Sequence, residues 1–173
     1  ISPTDTTLVV ECDEDVSSDT GQLYRNWRKG YGWIDTPYTK AAYGFLGEVG
    51  EIALKGLKLK VTTRFATIAL SSLTDKPISE SAHLLLTAVG RADNAGARYD
   101  AEHTYPIDVG HGPILVEPIE AVIELATIYR LRVWSVNPEG FYTGTIPTEY
   151  EEGTLRFEIG KTWPSMYYIL QRA

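Results

Sequence analysis

The 173-residue chain is poor in the residues that most often carry chemistry: one Cys, one Met and three His. Cys12 has no partner in the chain, which excludes an intrachain disulfide scaffold. His83, His103 and His111 show neither HxH nor HxxxH spacing, so zinc finds no ligand set. There is no Gly-x-Ser-x-Gly elbow and no Gly-rich phosphate loop. No apolar run approaches the ~20 residues that cross a bilayer, so no membrane partner is expected. A net charge of −7 argues against nucleic acid as a partner. Disorder is excluded as well, because 43% of the residues are hydrophobic and they recur throughout. The chain opens at Ile1 in polar sequence, with neither initiator Met nor signal peptide, and reads as a mature fragment or an excised domain.

Acids are plentiful but form no recognisable pair. A glycosidase needs two carboxyls about 5–10 Å apart, and nothing in the sequence identifies a partner for Glu117, the most buried-looking acid. The expectation for Glu117 is a strand-end carboxylate held by a salt bridge or hydrogen bond. Asp93, Asn94, Asp100 and Asp108 could offer oxygens to Ca²⁺, but their spacing fits no EF-hand and they read as turn residues. We therefore expect no catalytic residue, no metal and no cofactor.

Tyr (11), Trp (4), Gly (15) and Pro (9) are what the chain has in quantity. The pattern along it is one of strands and turns. Candidate strands are Thr7 to Glu11, Gly21 to Arg25, Tyr31 to Asp35, Glu51 to Leu54, Leu57 to Thr62, Phe65 to Leu73 and Ala82 to Arg91. They resume at Ile114 to Glu117, Ala121 to Leu125, Tyr129 to Val136, Thr154 to Ile159 and Met166 to Leu170. Asn26 to Gly30 reads as a hairpin turn, with Gly30 free to take positive φ. Tyr38 to Phe45 reads as a short helix or extended link, and Ala92 to Pro113 as one long loop. The near-continuous apolarity of Phe65 to Leu73 and Ala82 to Arg91 predicts strands buried on both faces. About ten short strands at this spacing predict an all-β fold: an antiparallel β-sandwich, jelly-roll-like, forming a single domain over 1–173.

The aromatics then suggest a function. A rigid ring in polar surroundings can close a core with its OH or NH at the surface. It can equally present a flat apolar face to the C–H groups of a sugar, with neighbouring polar side chains bonding the hydroxyls. The densest cluster is Tyr24, Trp27, Tyr31 and Trp33, interleaved with Arg25, Asn26, Arg28 and Lys29. Trp134 shares a strand face with Arg130 and Arg132, while Leu131 and Val133 point the other way. Tyr142 lies beside a turn, and Trp163 sits in a loop where it would plug one end of the sandwich. Candidate carbohydrate-binding residues are Trp27, Tyr31, Trp33, Trp134, Tyr142, Asn26 and Arg28.

Four stretches carry a resemblance: Ser18 to Leu23, Gly30 to Phe45, Leu84 to Gly96 and Gly112 to Ile119. In this order they resemble the non-catalytic β-sandwich domain that follows the barrel in some modular bacterial glycoside hydrolases. The resemblance spans roughly Ser18 to Leu170, and its more specific parts are Asp35-Thr36-Pro37 and the run Ala88 to Gly96. It implies a domain excised from a secreted or cell-surface enzyme that degrades polysaccharide, with the catalytic module of the same polypeptide as a partner. Within it, Arg91 to Gly96 reads as a corner in which Arg91 ties loops together and Asn94 and Gly96 tolerate left-handed φ. The function expected is recognition of a plant cell-wall type β-glycan, as polysaccharide or oligosaccharide. The alternative is a structural accessory that braces the catalytic barrel and has no ligand of its own.

Overall fold

A computed structural model of the chain describes residues 15–172, so the expected strand at Thr7 to Glu11 and Cys12 lie outside the described residues. The chain first lays down a meander: β1 (Asp15–Ser17), β2 (Leu23–Asn26), β3 (Tyr31–Asp35) and β4 (Thr39–Gly44). A single turn of helix, α1 (Leu46–Val49), leads to β5 (Glu51–Leu54) and β6 (Leu57–Val61), then to the long pair β7 (Ala66–Ser72) and β8 (His83–Val89). A ribbon follows, made of β9 (Ala92–Ala95), β10 (Arg98–Tyr99), β11 (Pro106–Asp108) and β12 (His111–Val116). The chain closes with β13 (Ala121–Ala126), β14 (Leu131–Val136), β15 (Tyr142–Ile146), β16 (Thr148–Glu151), β17 (Thr154–Ile159) and β18 (Tyr167–Arg172).

These strands form two main antiparallel sheets. The larger has nine strands in the order β1-β2-β3-β4-β7-β8-β18-β14-β15, and the smaller has five in the order β16-β17-β13-β6-β5. The chain passes repeatedly from one to the other, and β18 inserts between β8 and β14, inside the larger sheet. The fold is thus an all-β antiparallel sandwich. Its core is one continuous cluster: Ile68, Leu70, Leu84, Leu86, Val133 and Leu170 from the larger sheet meet Leu57, Leu59, Ile123, Leu125, Leu155 and Phe157 from the smaller. Each such side chain contributes about 1.5–3 kcal/mol by leaving water. The alternation read at Thr154 to Ile159 holds, with Leu155, Phe157 and Ile159 buried and the residues between them exposed.

Several expectations are corrected. Of the two readings of Tyr38 to Phe45, helix falls and extended chain holds: Thr39–Gly44 is a strand paired on both sides, by β3 and by β7. Its Ala-Ala pair favours helix only weakly, and two ladders of hydrogen bonds outweigh that preference. The stretch Ala92 to Pro113 is not a structureless loop but a ribbon, β9 pairing with β12 and β10 with β11. Its residues are almost all exposed, so no core imposed the alternation by which strands are recognised. Asn94 lies inside β9, opposite Ile114, and donates through Nδ2 to the Val109 carbonyl at 2.9 Å. Only Gly96 of that pair takes the left-handed conformation, with φ +76°. The apolar strands β7 and β8 are buried on one face only. Ala69, Leu85 and Thr87 face outward and are half-buried. The strands number eighteen among the described residues, not ten, because short edge pieces such as β1 and β16 carry no sequence signal of their own.

Two expectations about tethers fit what is seen. Arg91 Nε donates to Glu117 Oε2 at 3.1 Å, and this pair joins the two ends of the ribbon. The hydrogen bond from Arg91 holds the Glu117 carboxyl below its ordinary value. Trp163 lies in the loop before β18 with its indole against Gly144 of β15, where any larger residue would collide with the ring.

Candidate functional site

The hairpin β2–β3 carries most of the candidate residues, and strand pairing sorts them. Tyr24 pairs with Trp33, Asn26 with Tyr31, and Trp33 with Ala42, whose side chain is in the core. Tyr24, Asn26, Tyr31 and Trp33 therefore all lie on the inward face of the larger sheet. Tyr24 stacks on Trp33 with ring centroids 5.2 Å apart and an interplanar angle of 17°. Tyr31 and Trp33 pack against the core from its margin. Burial, followed by a hydrogen bond with Tyr24, pushes the Tyr31 phenol up to about 12. Asn26 is 8% exposed and uses its side chain within the protein. Its Oδ1 accepts the Lys29 amide proton at 2.8 Å, and its Nδ2 donates to Asp15. These residues build and brace the hairpin.

Trp27 and Arg28 are placed differently, in the turn itself. Gly30 allows the turn to close with φ +63°. A Cβ there would stand 2.8 Å from Phe45 Cδ2, so the bare backbone is what lets the Phe45 ring seat against the turn. Phe45 in turn meets Phe65 edge to face, with centroids 5.5 Å apart. Between the turn, α1 and the β6–β7 connection lies an open cleft of about 490 Å³, lined by Trp27, Arg28, Lys29, Phe45, Glu48 and Arg64. Trp27 is 41% exposed, and the Arg25 guanidinium lies 3.5 Å from the ring centroid, backing one face of the indole. A cation on a Trp face contributes about 0.5–1 kcal/mol at an exposed site, enough to bias the orientation of the ring. Arg64 Nε donates to Glu48 Oε1 at 2.7 Å, and both side chains are exposed. The cleft therefore combines one exposed indole, a fixed Phe and several charged donors around a concavity open to water.

Trp134 and Tyr142 form a third group. Their rings are 5.4 Å apart on the outward face of the larger sheet. The order of strands separates β2 from β14 by six positions, or about 29 Å at 4.8 Å per strand. The seven candidate residues thus fall into three places: an inward brace, a turn cleft and a distant outer face. Phe45, Glu48 and Arg64, which complete the cleft, were missed by reading the sequence. They are distant from Trp27 in sequence, and the pairing of β3 with β4 and of β4 with β7 inside the larger sheet brings them beside it.

Two other concavities are built differently. At the opposite end, Lys40, 6% exposed, pairs with Asp35, whose second oxygen accepts the Lys55 amide at 2.7 Å. This pair fastens the β5–β6 turn beneath a cleft of about 630 Å³. On the ribbon, Tyr99 stacks on His103 and donates to Asp93 at 2.9 Å. Among the described residues no group of three or more His, Cys, Asp or Glu is placed to hold a metal ion. Comparison of the chain with protein-family models, curated proteins and solved structures returns no match.

Proposed function

We propose that this domain binds a β-linked glycan of the plant cell-wall type without cleaving it. In this reading it is the accessory piece of a secreted or cell-surface polysaccharide-degrading enzyme, tethered to its catalytic module. The observation that carries the proposal is the placement of Trp27. Its indole is backed by Arg25, exposed to solvent, and forms a wall of a cleft that also holds Phe45 and charged hydrogen-bond donors. An ordered ring loses little entropy on binding, and its apolar face suits the C–H face of a pyranose. Hydrolysis gains no support at this place, because Glu48 is the one acid lining the cleft and is tied to Arg64, whereas two carboxyls are needed.

The test is calorimetric titration of the domain with a panel of soluble β-glucans, xylans and mannans, run beside Trp27→Ala. Binding by the parent, weakened at least tenfold in the variant with its fold intact, supports the proposal. No heat from any member of the panel refutes it, and reducing ends released from any member refute the non-catalytic part.

A second reading, a brace on the catalytic barrel with no ligand of its own, is favoured by a different surface. The outward face of the larger sheet carries Leu23, Ile34, Leu85, Ile169, Trp134 and Tyr142, all half-buried or exposed. An apolar band of this kind suits a protein interface. The two readings use separate faces, so Trp134→Ala or Leu85→Asp would weaken module packing and leave glycan binding unchanged.

A further inference from the structure

We infer that the glycan taken by the Trp27 cleft is acidic, carrying isolated uronate carboxylates on an otherwise neutral chain. This rests on the glycan-binding reading and specifies its ligand. The chain as a whole is acidic, with 23 Asp and Glu against 16 Lys and Arg. The cleft reverses that balance: Arg28, Lys29 and Arg64 line it against Glu48 alone, and Arg25 stands behind the indole.

Elsewhere on the surface some cations meet acids and others, Lys55, Lys60, Arg130 and Arg132 among them, form no ion pair among the described residues. Lys58 and Arg156 share Glu124, Arg156 also reaches Glu149, Lys161 meets Glu158, and Arg98 meets Asp108. Arg28 and Lys29 form no ion pair with any acid among the described residues, although both are exposed. A planar guanidinium beside a ring-stacking platform matches a carboxylate borne on a pyranose, since the fork of Arg meets two oxygens in one plane. The net −7 of the whole chain limits the match to sparse acid groups. A dense polyanion would extend past the cleft onto a surface of its own sign, whereas a single uronate within about one Debye length, ~8 Å at physiological salt, meets mainly the local cations.

The experiment uses a xylo-oligosaccharide bearing one glucuronate side group and the same oligosaccharide after chemical reduction of its carboxyl. Both are titrated calorimetrically into the domain and into Arg28→Gln/Lys29→Gln, at low salt and at roughly 0.5 M salt. We expect the acidic form to bind the parent at least tenfold more tightly at low salt, with the gap closing at high salt. The double variant, shown folded by its unchanged thermal midpoint, should bind both forms equally and as the parent binds the reduced one. Equal binding of the two forms by the parent overturns the acidic inference and leaves the glycan reading standing. Failure of the parent to bind either form overturns both. Equally tight binding of single-stranded oligothymidylate also overturns the inference, showing a general anion site.

Discussion

Trp27 and Trp33 belong to the same hairpin and have opposite fates. Trp33 lies in β3, on the face that strand pairing turns toward the core, and is covered by Tyr24 and by the margin of the core cluster. Trp27 lies in the turn, where no ladder dictates direction, and among the described residues its ring partner is the Arg25 guanidinium. The pairing of a strand assigns its side chains to a face, and a one-residue change of register would exchange them. A turn is released from that rule, so a bulky ring can be shown to solvent at little cost to the fold. The same hairpin thus keeps stability in its strands and leaves the ring at its tip exposed.

The comparison is best broken by removing each part in turn. Trp33→Ala should cost the most, about 3 kcal/mol, the lower end for a large aromatic because the ring is only half-buried. Chemical denaturation should show this while the folded fraction keeps its glycan affinity; a loss of affinity without a loss of stability would reverse the roles assigned to the two tryptophans. Asn26→Ala should cost about 1–2 kcal/mol, since it leaves the Lys29 amide and Asp15 without their partner. It should also weaken binding, because the turn it holds carries Trp27.

The third prediction concerns alkaline pH. An unfolded phenol ionises near 10.0, whereas burial and Tyr24 hold Tyr31 neutral up to about 12. A raised folded value contributes stability that is complete below the unfolded value and is lost as pH rises through the folded one. Stability should therefore fall between pH 10.0 and 12, and Tyr31→Phe should flatten that part of the curve relative to the parent. Identical curves for the two proteins would show that Tyr31 titrates as it does unfolded. The smallest effect on stability belongs to Trp27→Ala, within about 0.5–1 kcal/mol as for an exposed residue with one cation–π contact. Its binding defect should nonetheless be the largest of the set.

How far the sequence speaks depends on whether a core is present to write its pattern. Thr154 to Ile159 and the first five residues of β14, Leu131 to Ser135, alternate because one side of each strand is buried and the other is wetter. The hairpin at Asn26 to Gly30 was legible from its glycine and polar turn. The ribbon was not, since both of its faces are exposed and nothing selects apolar residues at every second position. Strand β4 was hidden by its two alanines, whose place is decided by neighbours distant in the chain. At the candidate site, Trp27, Arg28 and Gly30 announced themselves by local composition. Phe45, Glu48 and Arg64 could not, because their meeting with Trp27 depends on the pairing of β3 with β4 and of β4 with β7, which is distant in the chain.

The position of β18 has a consequence for how the protein is made. The strand Tyr167–Arg172 is the last of the described chain, yet it lies between β8 and β14 in the nine-stranded sheet. During vectorial synthesis the earlier strands emerge from the ribosome with a gap where Tyr168 and Leu170 belong. Until that strand clears the exit tunnel, Leu84 and Leu86 on one flank and Val133 on the other lack their shared neighbour. The edge of β8 waits from Val89 and that of β14 from Val136 for a strand that begins at Tyr167, a state that favours protection by chaperones and late, cooperative closure.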